Sequence, residues 1–255
     1  MKICQVIFST NRLEYLVPTL ESQTNLDFTG YEVDRIFIDD YPRNRNDCYI
    51  TDLVKQHGYN EIILHQENKG LSVTWTECWD LIKTRDYDYI WHQEDDVVIL
   101  EKILIRDLVE LLECNNKISQ IQLARQAWYT QGLNPDVEPT LKEDDCVYKD
   151  FRYDTKSQIF SPMASLIPKR IIDIDYNKNH DYNLNEGLIG QVLYNEFGMT
   201  SCNVRNKKGK PLINHIGEYF VGKRVLPGEP GYENFKKYDP NKKYCSRNGY
   251  EYYKE

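Results

Sequence analysis

The sequence predicts an α/β fold with a mainly parallel central sheet and helices on both faces. Short apolar runs alternate with segments of helical periodicity through the first half of the chain, an order typical of β-α-β units. A polar cluster follows each of the first four predicted strands. The chain has 255 residues, which suffices for one or two domains with a core that needs no disulfide or metal to fold.

Each predicted element rests on its own local pattern. The strands are short apolar runs at Ile3–Phe8, Arg35–Ile38, Glu61–Leu64, Tyr89–Trp91, Gln120–Ala124 and Gln158–Ile167. The helices have apolar residues three and four apart, at Leu13–Gln23, Asp47–His57, Gly70–Lys83, Lys102–Asn115 and Leu184–Phe197. The polar segment Arg125–Ser157 is predicted to be a long loop, and the chain from Asn206 onward an irregular C-terminal tail. The sheet is therefore expected to be Rossmann-like, with ligands at the carboxyl ends of its strands.

Charge is distributed unevenly along the chain. The net charge is −8, whereas the residues from Asn203 onward carry 12 Lys and Arg against 6 Asp and Glu. An acidic chain is a poor candidate for nucleic-acid binding. An acidic body with a basic tail indicates either a site that handles a cation and an anion, or simply a solvated tail.

Cysteine usage and hydropathy indicate the cellular compartment in which the protein is expected. The 7 cysteines are scattered without a CxxC pair, so we expect no zinc–thiolate site but buried thiols in a reducing environment. No apolar run reaches the roughly 18 residues of a membrane span. The first apolar run is too short for a signal peptide, and we expect a cytoplasmic protein.

The polar residues at the strand ends are the candidate site. They are Ser9-Thr10-Asn11-Arg12, Asp39-Asp40, the segment from His65 to Gly70, and Glu94-Asp95-Asp96. Each cluster alone is equally well explained by helix capping or turn chemistry. Four in succession at one edge of a sheet favour a binding site.

The acidic triplet Glu94-Asp95-Asp96 is distinguished by its context. A second triplet, Glu143–Asp145, lies in a polar segment, whereas the first lies between two apolar runs. Buried carboxylates need a cation or hydrogen-bond donors to offset desolvation. Side chains two apart on an extended segment point the same way, so Glu94 and Asp96 should share a side. Such oxygen ligands suit Mn²⁺ or Mg²⁺, and we predict Asp96 as a metal ligand.

With these motifs in this order, the sequence resembles a GT-A fold glycosyltransferase of family 2 over roughly residues 3 to 225. Four elements of this sequence have counterparts in that family: the turn after the first strand, the acids after the second strand, the N-x-G element, and the acidic triplet, which is the EDD form of the family's DxD motif. The resemblance implies nucleotide-sugar binding by Ser9, Thr10, Asn11, Arg12, Asp39, Asp40, Asn68, Gly70, Glu94 and Asp95.

The later part of the resemblance assigns further roles. Glu186, near the start of a late helix, corresponds to the catalytic base, with Asp150, Asp154 and Asp181 as competitors. His215 corresponds to a late metal-binding histidine, although a packing role explains a single histidine equally well. Lys223 and Arg224 are candidates for diphosphate binding, and Trp128 and Tyr129 for stacking on an acceptor sugar.

The resemblance implies a metal-dependent enzyme that transfers a sugar from a UDP-sugar to a hydroxyl of a glycan or other acceptor, with inversion. It divides the chain into a nucleotide-sugar-binding half (1–115), an acceptor-binding half (116–202) and a basic tail or lid (203–255). Two alternatives stay open. A nucleotidyltransferase on a similar sheet has only Arg12 in its favour, and a non-catalytic sugar- or nucleotide-binding module leaves the intact triplet unexplained.

Overall fold

The computed structural model describes residues 1–42, 45–125, 145–161, 163–176 and 185–216. The strands are β1 (Lys2–Ser9), β2 (Leu26–Asp27), β3 (Glu32–Asp39), β4 (Glu61–Leu64), β5 (Tyr89–Glu94), β6 (Val97–Ile99), β7 (Ile103–Leu104), β8 (Ile118–Leu123), β9 (Cys146–Tyr148), β10 (Phe151–Ser157), β11 (Ala164–Pro168), β12 (Thr200–Asn206) and β13 (Ile213–His215). The helices are α1 (Leu13–Ser22), α2 (Asp47–Gln56), α3 (Leu71–Lys83), α4 (Ile105–Cys114), α5 (Lys169–Ile172) and α6 (Glu186–Phe197).

Within the described residues, nine strands form the central sheet, in the order β4-β3-β1-β5-β11-β8-β12-β10-β9. The four strands from β4 to β5 are parallel, as predicted, and bring their carboxyl ends to one edge. Beyond β5 the directions are mixed, because β11 runs antiparallel to both of its neighbours. One sheet thus runs through both predicted halves, 1–115 and 116–202.

Helices cover both faces of the sheet, and alternation along the strands explains why. On β1, Cys4, Val6 and Phe8 pack in a core with α3, α5 and α6, whereas Ile3 and Ile7 face the side of α1, α2 and α4. Three tryptophans are among the largest buried side chains: Trp75, Trp79 and Trp91. None of the helices in the described ranges is long and apolar enough to cross a membrane.

In the second half of the chain, β8 and α6 lie where a strand and a helix were predicted, but other sequence-based assignments fail. The predicted loop Arg125–Ser157 contains β9 and β10, and the predicted irregular tail contains β13. β12 was not anticipated, and β11 begins at Ala164 rather than at Gln158. The expectation of buried thiols also holds only in part, since Cys48, Cys114 and Cys146 are exposed.

Candidate active site

The turn after β1 is tied to the acidic triplet through Asp95. This carboxylate is 1% exposed and accepts hydrogen bonds from the Ser9 hydroxyl at 3.0 Å and from the Thr10 amide at 2.9 Å. It also pairs with the Arg12 guanidinium. Asp95 thus joins the end of β5 to the end of β1, and it shares Arg12 with Asp96.

Glu94 and Asp96 share one side of the triplet, as the alternation predicts, and His215 joins them. One potential ligand atom from each of these three side chains lies within 4.8 Å of the others. The His215 Nε2 is 3.3 Å from an Asp96 carboxylate oxygen, and Arg12 Nη2 is 2.8 Å from the other. Glu94 was predicted to bind the sugar donor directly; the geometry groups it with the metal candidates.

The cluster is buried and crowded with charge, which shifts its pKa values. Burial, together with the negative charges of Asp96 and Glu186, raises the pKa of Glu94 to about 7 from an ordinary 4.5. Burial lowers the pKa of His215, but the attraction of Asp96 and Glu94 more than offsets it, so the net shift is upward. In the absence of a metal, Glu94 therefore keeps its proton to higher pH than an ordinary carboxyl group, and His215 keeps its positive charge to higher pH than an ordinary imidazole.

Strand pairing places His215 in this cluster. β13 runs antiparallel to β6, with His215 opposite Val97, and the Ile216 amide donates to the main-chain oxygen of Asp96 at 2.8 Å. Arg125 follows β8 and lies 3.2 Å from the His215 Nδ1. Nε2 is the ring nitrogen that faces Asp96, and Nδ1 is the one that faces Arg125.

Asp39 and Asp40 organise the neighbouring strand ends. The Asp39 carboxylate accepts from the Asn11 amide at 2.7 Å and from Arg45 Nη1 at 2.8 Å. The Arg45 guanidinium also donates to the main-chain oxygen of His65 at 2.7 Å, so it links β3 to β4. Both acids lie at the predicted edge, but Asp39 is completely buried and its carboxylate already has internal partners.

The Asp40 carboxylate holds the N-x-G element. It accepts from the amide of Lys69 at 3.0 Å and of Gly70 at 2.7 Å, and its Oδ1 is 2.8 Å from His65 Nδ1. Gly70 has φ of 83°, a left-handed conformation that favours glycine. Asn68 is exposed, and its side chain closes the same turn by accepting from Gly70.

Glu186 lies near the start of a helix, as predicted; it is the first residue of α6, two residues after the predicted start at Leu184. Asn185 caps the helix, because its side-chain oxygen accepts from the Leu188 amide at 2.9 Å. The Glu186 side chain is open to solvent, yet its charge still contributes to the raised pKa of Glu94. Partial burial of the carboxyl group raises the pKa of Glu186, against opposing effects from Ser161 and Arg125.

The competing acids lie elsewhere or outside the described residues. Asp154 is on β10, four strands from β5, which corresponds to roughly 19 Å at about 4.8 Å per strand. Asp150 precedes β10 and is 85% exposed near Lys207. Asp181, Trp128, Tyr129, Lys223 and Arg224 lie outside the described residues, and their roles stay predictions.

Several residues of the site were missed. Thr19 and Gln93 hold the backbone of the triplet, Arg45 supports Asp39, and Arg125 contacts His215. For Thr19 the available signal was a polar side chain among the apolar residues of a helix, whereas Gln93 stands in the polar run His92–Asp96. Arg45 and Arg125 stand in polar segments, where nothing distinguishes them from solvated residues.

A model of the family Glycosyl transferase family 2 matches residues 4–174, more than half of the chain. The chain belongs to glycosyl transferase family 2. The predicted family and the predicted enzyme class, a glycosyltransferase, are thereby confirmed. Membership in family 2 favours sugar transfer over nucleotidyl transfer and over a non-catalytic module. A comparison with curated proteins finds no match.

Solved structures support the fold of this family 2 chain. It resembles the crystal structure of S. aureus TarS 1–349, with a TM-score of 0.55, 10% identity, and coverage of 92% of this chain and 68% of the other. The TarS 1–349 complex with UDP-GlcNAc gives a TM-score of 0.56 at 11% identity, covering 92% of this chain and 69% of the other. These likenesses confirm the predicted GT-A fold.

Proposed function

We propose that this protein is a metal-dependent, inverting glycosyltransferase that uses a nucleoside-diphosphate sugar, with UDP as the preferred nucleotide. The observation that carries the proposal is the grouping of Glu94, Asp96 and His215 within 4.8 Å, next to the helix that begins with Glu186. TarS 1–349, which shares the fold, has been solved with UDP and with UDP-GlcNAc. That precedent supports the choice of donor.

The donor set fits a divalent cation. Two carboxylates close together in a buried place repel each other, and the raised pKa of Glu94 is one expression of that cost. Two carboxylates and one imidazole suit Mn²⁺ or Mg²⁺, with the imidazole favouring Mn²⁺. The resident cation would be held by Glu94, Asp96 and His215, and would supply positive charge that stabilises a leaving diphosphate.

Arg12 is the protein cation best placed to assist the diphosphate. Its Nη2 binds Asp95 and Asp96, while its Nε and Nη1 have no hydrogen-bond partner within the described part of the chain. A guanidinium with two free donors at a strand end matches the geometry of phosphate oxygens. The ends of β1, β3 and β4, fastened together by Asp39, Asp40 and Arg45, would form the wall against which the nucleotide lies.

Glu186 would act as the base for the acceptor. The acceptor oxygen attacks the anomeric carbon, the bond from that carbon to the diphosphate breaks, and the hydroxyl proton passes to the Glu186 carboxylate. A raised pKa brings this carboxylate closer to neutral pH, where a general base is most effective. A single displacement of this kind inverts the anomeric centre.

The test is release of nucleoside diphosphate from a panel of UDP- and GDP-sugars, with Mn²⁺ and with EDTA. We expect release from at least one UDP-sugar that requires the metal and is lost in Asp96→Asn. Asp150→Asn is the matched control, because it removes an exposed carboxylate about four strands away. Release that persists in EDTA, or in Asp96→Asn, would contradict metal dependence at this cluster.

A further inference from the structure

We propose that Thr19 and Gln93 are positioning residues that hold the acidic turn, residues 94–97, in the shape required to bind the metal. This inference rests on the proposed function. Neither side chain belongs to the cluster of potential ligands. Both reach the backbone of the acidic turn from inside the protein, where each is completely buried.

Thr19 holds the turn from α1. Its hydroxyl donates to the main-chain oxygen of Asp95 at 2.8 Å. A buried hydroxyl costs free energy unless it is hydrogen-bonded, so a position facing the core of a helix would ordinarily favour an apolar residue. Valine has nearly the same shape as threonine. The hydroxyl of Thr19 therefore has a specific partner, the backbone of the residue before Asp96.

Gln93 holds the turn from β5, on the other side of Asp96. Its Nε2 donates to the main-chain oxygen of Val97 at 2.8 Å. Its Oε1 accepts from Trp91 Nε1 at 3.0 Å and from Gln23 Nε2 at 2.9 Å. The Gln93 amide oxygen thus accepts two hydrogen bonds, so the amide nitrogen is the atom that faces the main-chain oxygen of Val97.

A chain of amides, buried at Gln5 and Gln93 and partly exposed at Gln23, fixes the orientation of Gln93. Arg35 Nε donates to the Gln5 oxygen at 2.8 Å, Gln5 donates to Gln23, and Gln23 donates to Gln93. The chain begins at a guanidinium, which can only donate, and ends at a carbonyl, which can only accept. Each glutamine amide between these ends has only one orientation in which its oxygen faces a donor and its nitrogen faces an acceptor. The Gln93 amide nitrogen therefore faces the main-chain oxygen of Val97.

These contacts hold three consecutive carbonyls of the turn. The main-chain oxygens of residues 95, 96 and 97 accept from Thr19, from the Ile216 amide and from Gln93, respectively. Metal–ligand distances tolerate only about 0.2 Å. A turn held at each peptide keeps the Asp96 carboxylate within that tolerance, and buried polar groups of this kind can contribute more to a defined geometry than to stability.

The test compares Thr19→Val with Thr19→Ser, because only serine retains the donor. Free Mn²⁺ is measured by electron paramagnetic resonance while protein is titrated in the presence of UDP, and thermal unfolding in EDTA checks the fold. We expect Thr19→Val to weaken Mn²⁺ binding at least about ten-fold, the effect typical of outer-shell partners. Thr19→Ser should stay within about three-fold of the wild type, despite the methyl that it loses.

Gln23→Met gives a second, independent test, because it breaks the amide chain at a partly exposed link. We expect weaker Mn²⁺ binding there too. Mn²⁺ binding unchanged in Thr19→Val and Gln23→Met, or lost equally in Thr19→Ser and Thr19→Val, would overturn the inference. Asp96→Asn distinguishes a failure of this inference from a failure of the proposed function. If wild type and Asp96→Asn bind Mn²⁺ equally weakly, the proposed metal site itself fails.

Discussion

In the metal-free protein, the carboxyl group of Glu94 should make the stability depend on pH. The substitution Glu94→Gln should remove that dependence. Glu94 is largely buried beside Asp96, and its pKa in the folded state is about 7 against an ordinary 4.5. Glutamine has almost the same shape but does not titrate. Comparing the two proteins across this pH range isolates the titration of one carboxyl group.

The sign follows from proton binding in the two states. Below pH 4.5, Glu94 is protonated whether the chain is folded or unfolded, so its titration has no effect. Between pH 4.5 and about 7, the unfolded chain releases the proton while the folded chain keeps it. Ionising Glu94 is therefore less favourable in the folded protein than in the unfolded chain, and the folded protein loses stability as pH rises from 4.5 towards 7.

The magnitude follows from the same two values. A difference of about 2.5 pKa units corresponds to about 3.4 kcal/mol at about 1.4 kcal/mol per unit. Because the carboxyl group is partly exposed, solvent reduces this effect, and we expect about 1–3 kcal/mol. The unfolding free energy of Glu94→Gln minus that of wild type should rise by this amount between pH 4.5 and 7.5.

Urea denaturation in EDTA, repeated at half-unit pH intervals, measures this difference. Saturating Mn²⁺ with UDP should reverse the trend in the wild type, because a metal binds the ionised carboxylate and its affinity improves as pH rises. A difference between the two proteins that stays constant from pH 4.5 to 7.5 would refute the assigned environment of Glu94.

Four further substitutions test the site and the packing of α6. Asp96→Ala should abolish nucleoside diphosphate release but leave the circular dichroism spectrum unchanged, whereas His215→Ala should raise the Mn²⁺ concentration for half-maximal activity about 10- to 100-fold. Asp40→Ala should raise KM for the donor more than it lowers kcat in steady-state kinetics, because its partners shape a binding surface. Gly190→Ala should lower the unfolding free energy by about 1–3 kcal/mol in urea, since a Cβ there would lie 2.7 Å from the main-chain oxygen of Gln158.

The parallel half of the fold was readable from the sequence because its elements are local patterns. β4 was placed at its observed bounds, and α3 begins one residue from the predicted start. The alternation rule also placed Glu94 and Asp96 on one side of the chain, which is the side that faces His215. These predictions needed only the period of the strand and the identity of its neighbours.

In the second half, β8 and α6 were predicted, but β10 and β13 were not, because these two strands do not depend on local hydrophobicity. β10 carries Arg152, Asp154 and Lys156, so its sequence resembles a solvated loop. β13 has three residues, and only its pairing with β6 identifies it as a strand. The position of His215 therefore depends on a contact with residues more than 100 positions earlier, for which the local sequence contains no signal.

The roles within the acidic triplet divide according to which way each side chain faces. Asp95 faces β1, where Ser9, Thr10 and Arg12 oppose the effect of its burial, although burial still raises the pKa of this carboxyl group. Asp96 shares Arg12 and has His215 on its other side, while burial and the charge of Asp96 hold the pKa of Glu94 near neutrality. Glu94 and Asp96 thus both lie on the side that faces His215. A divalent cation placed there would offset the burial and the repulsion by Asp96 that raise the pKa of Glu94, and this is the physical reason to expect metal binding at that side.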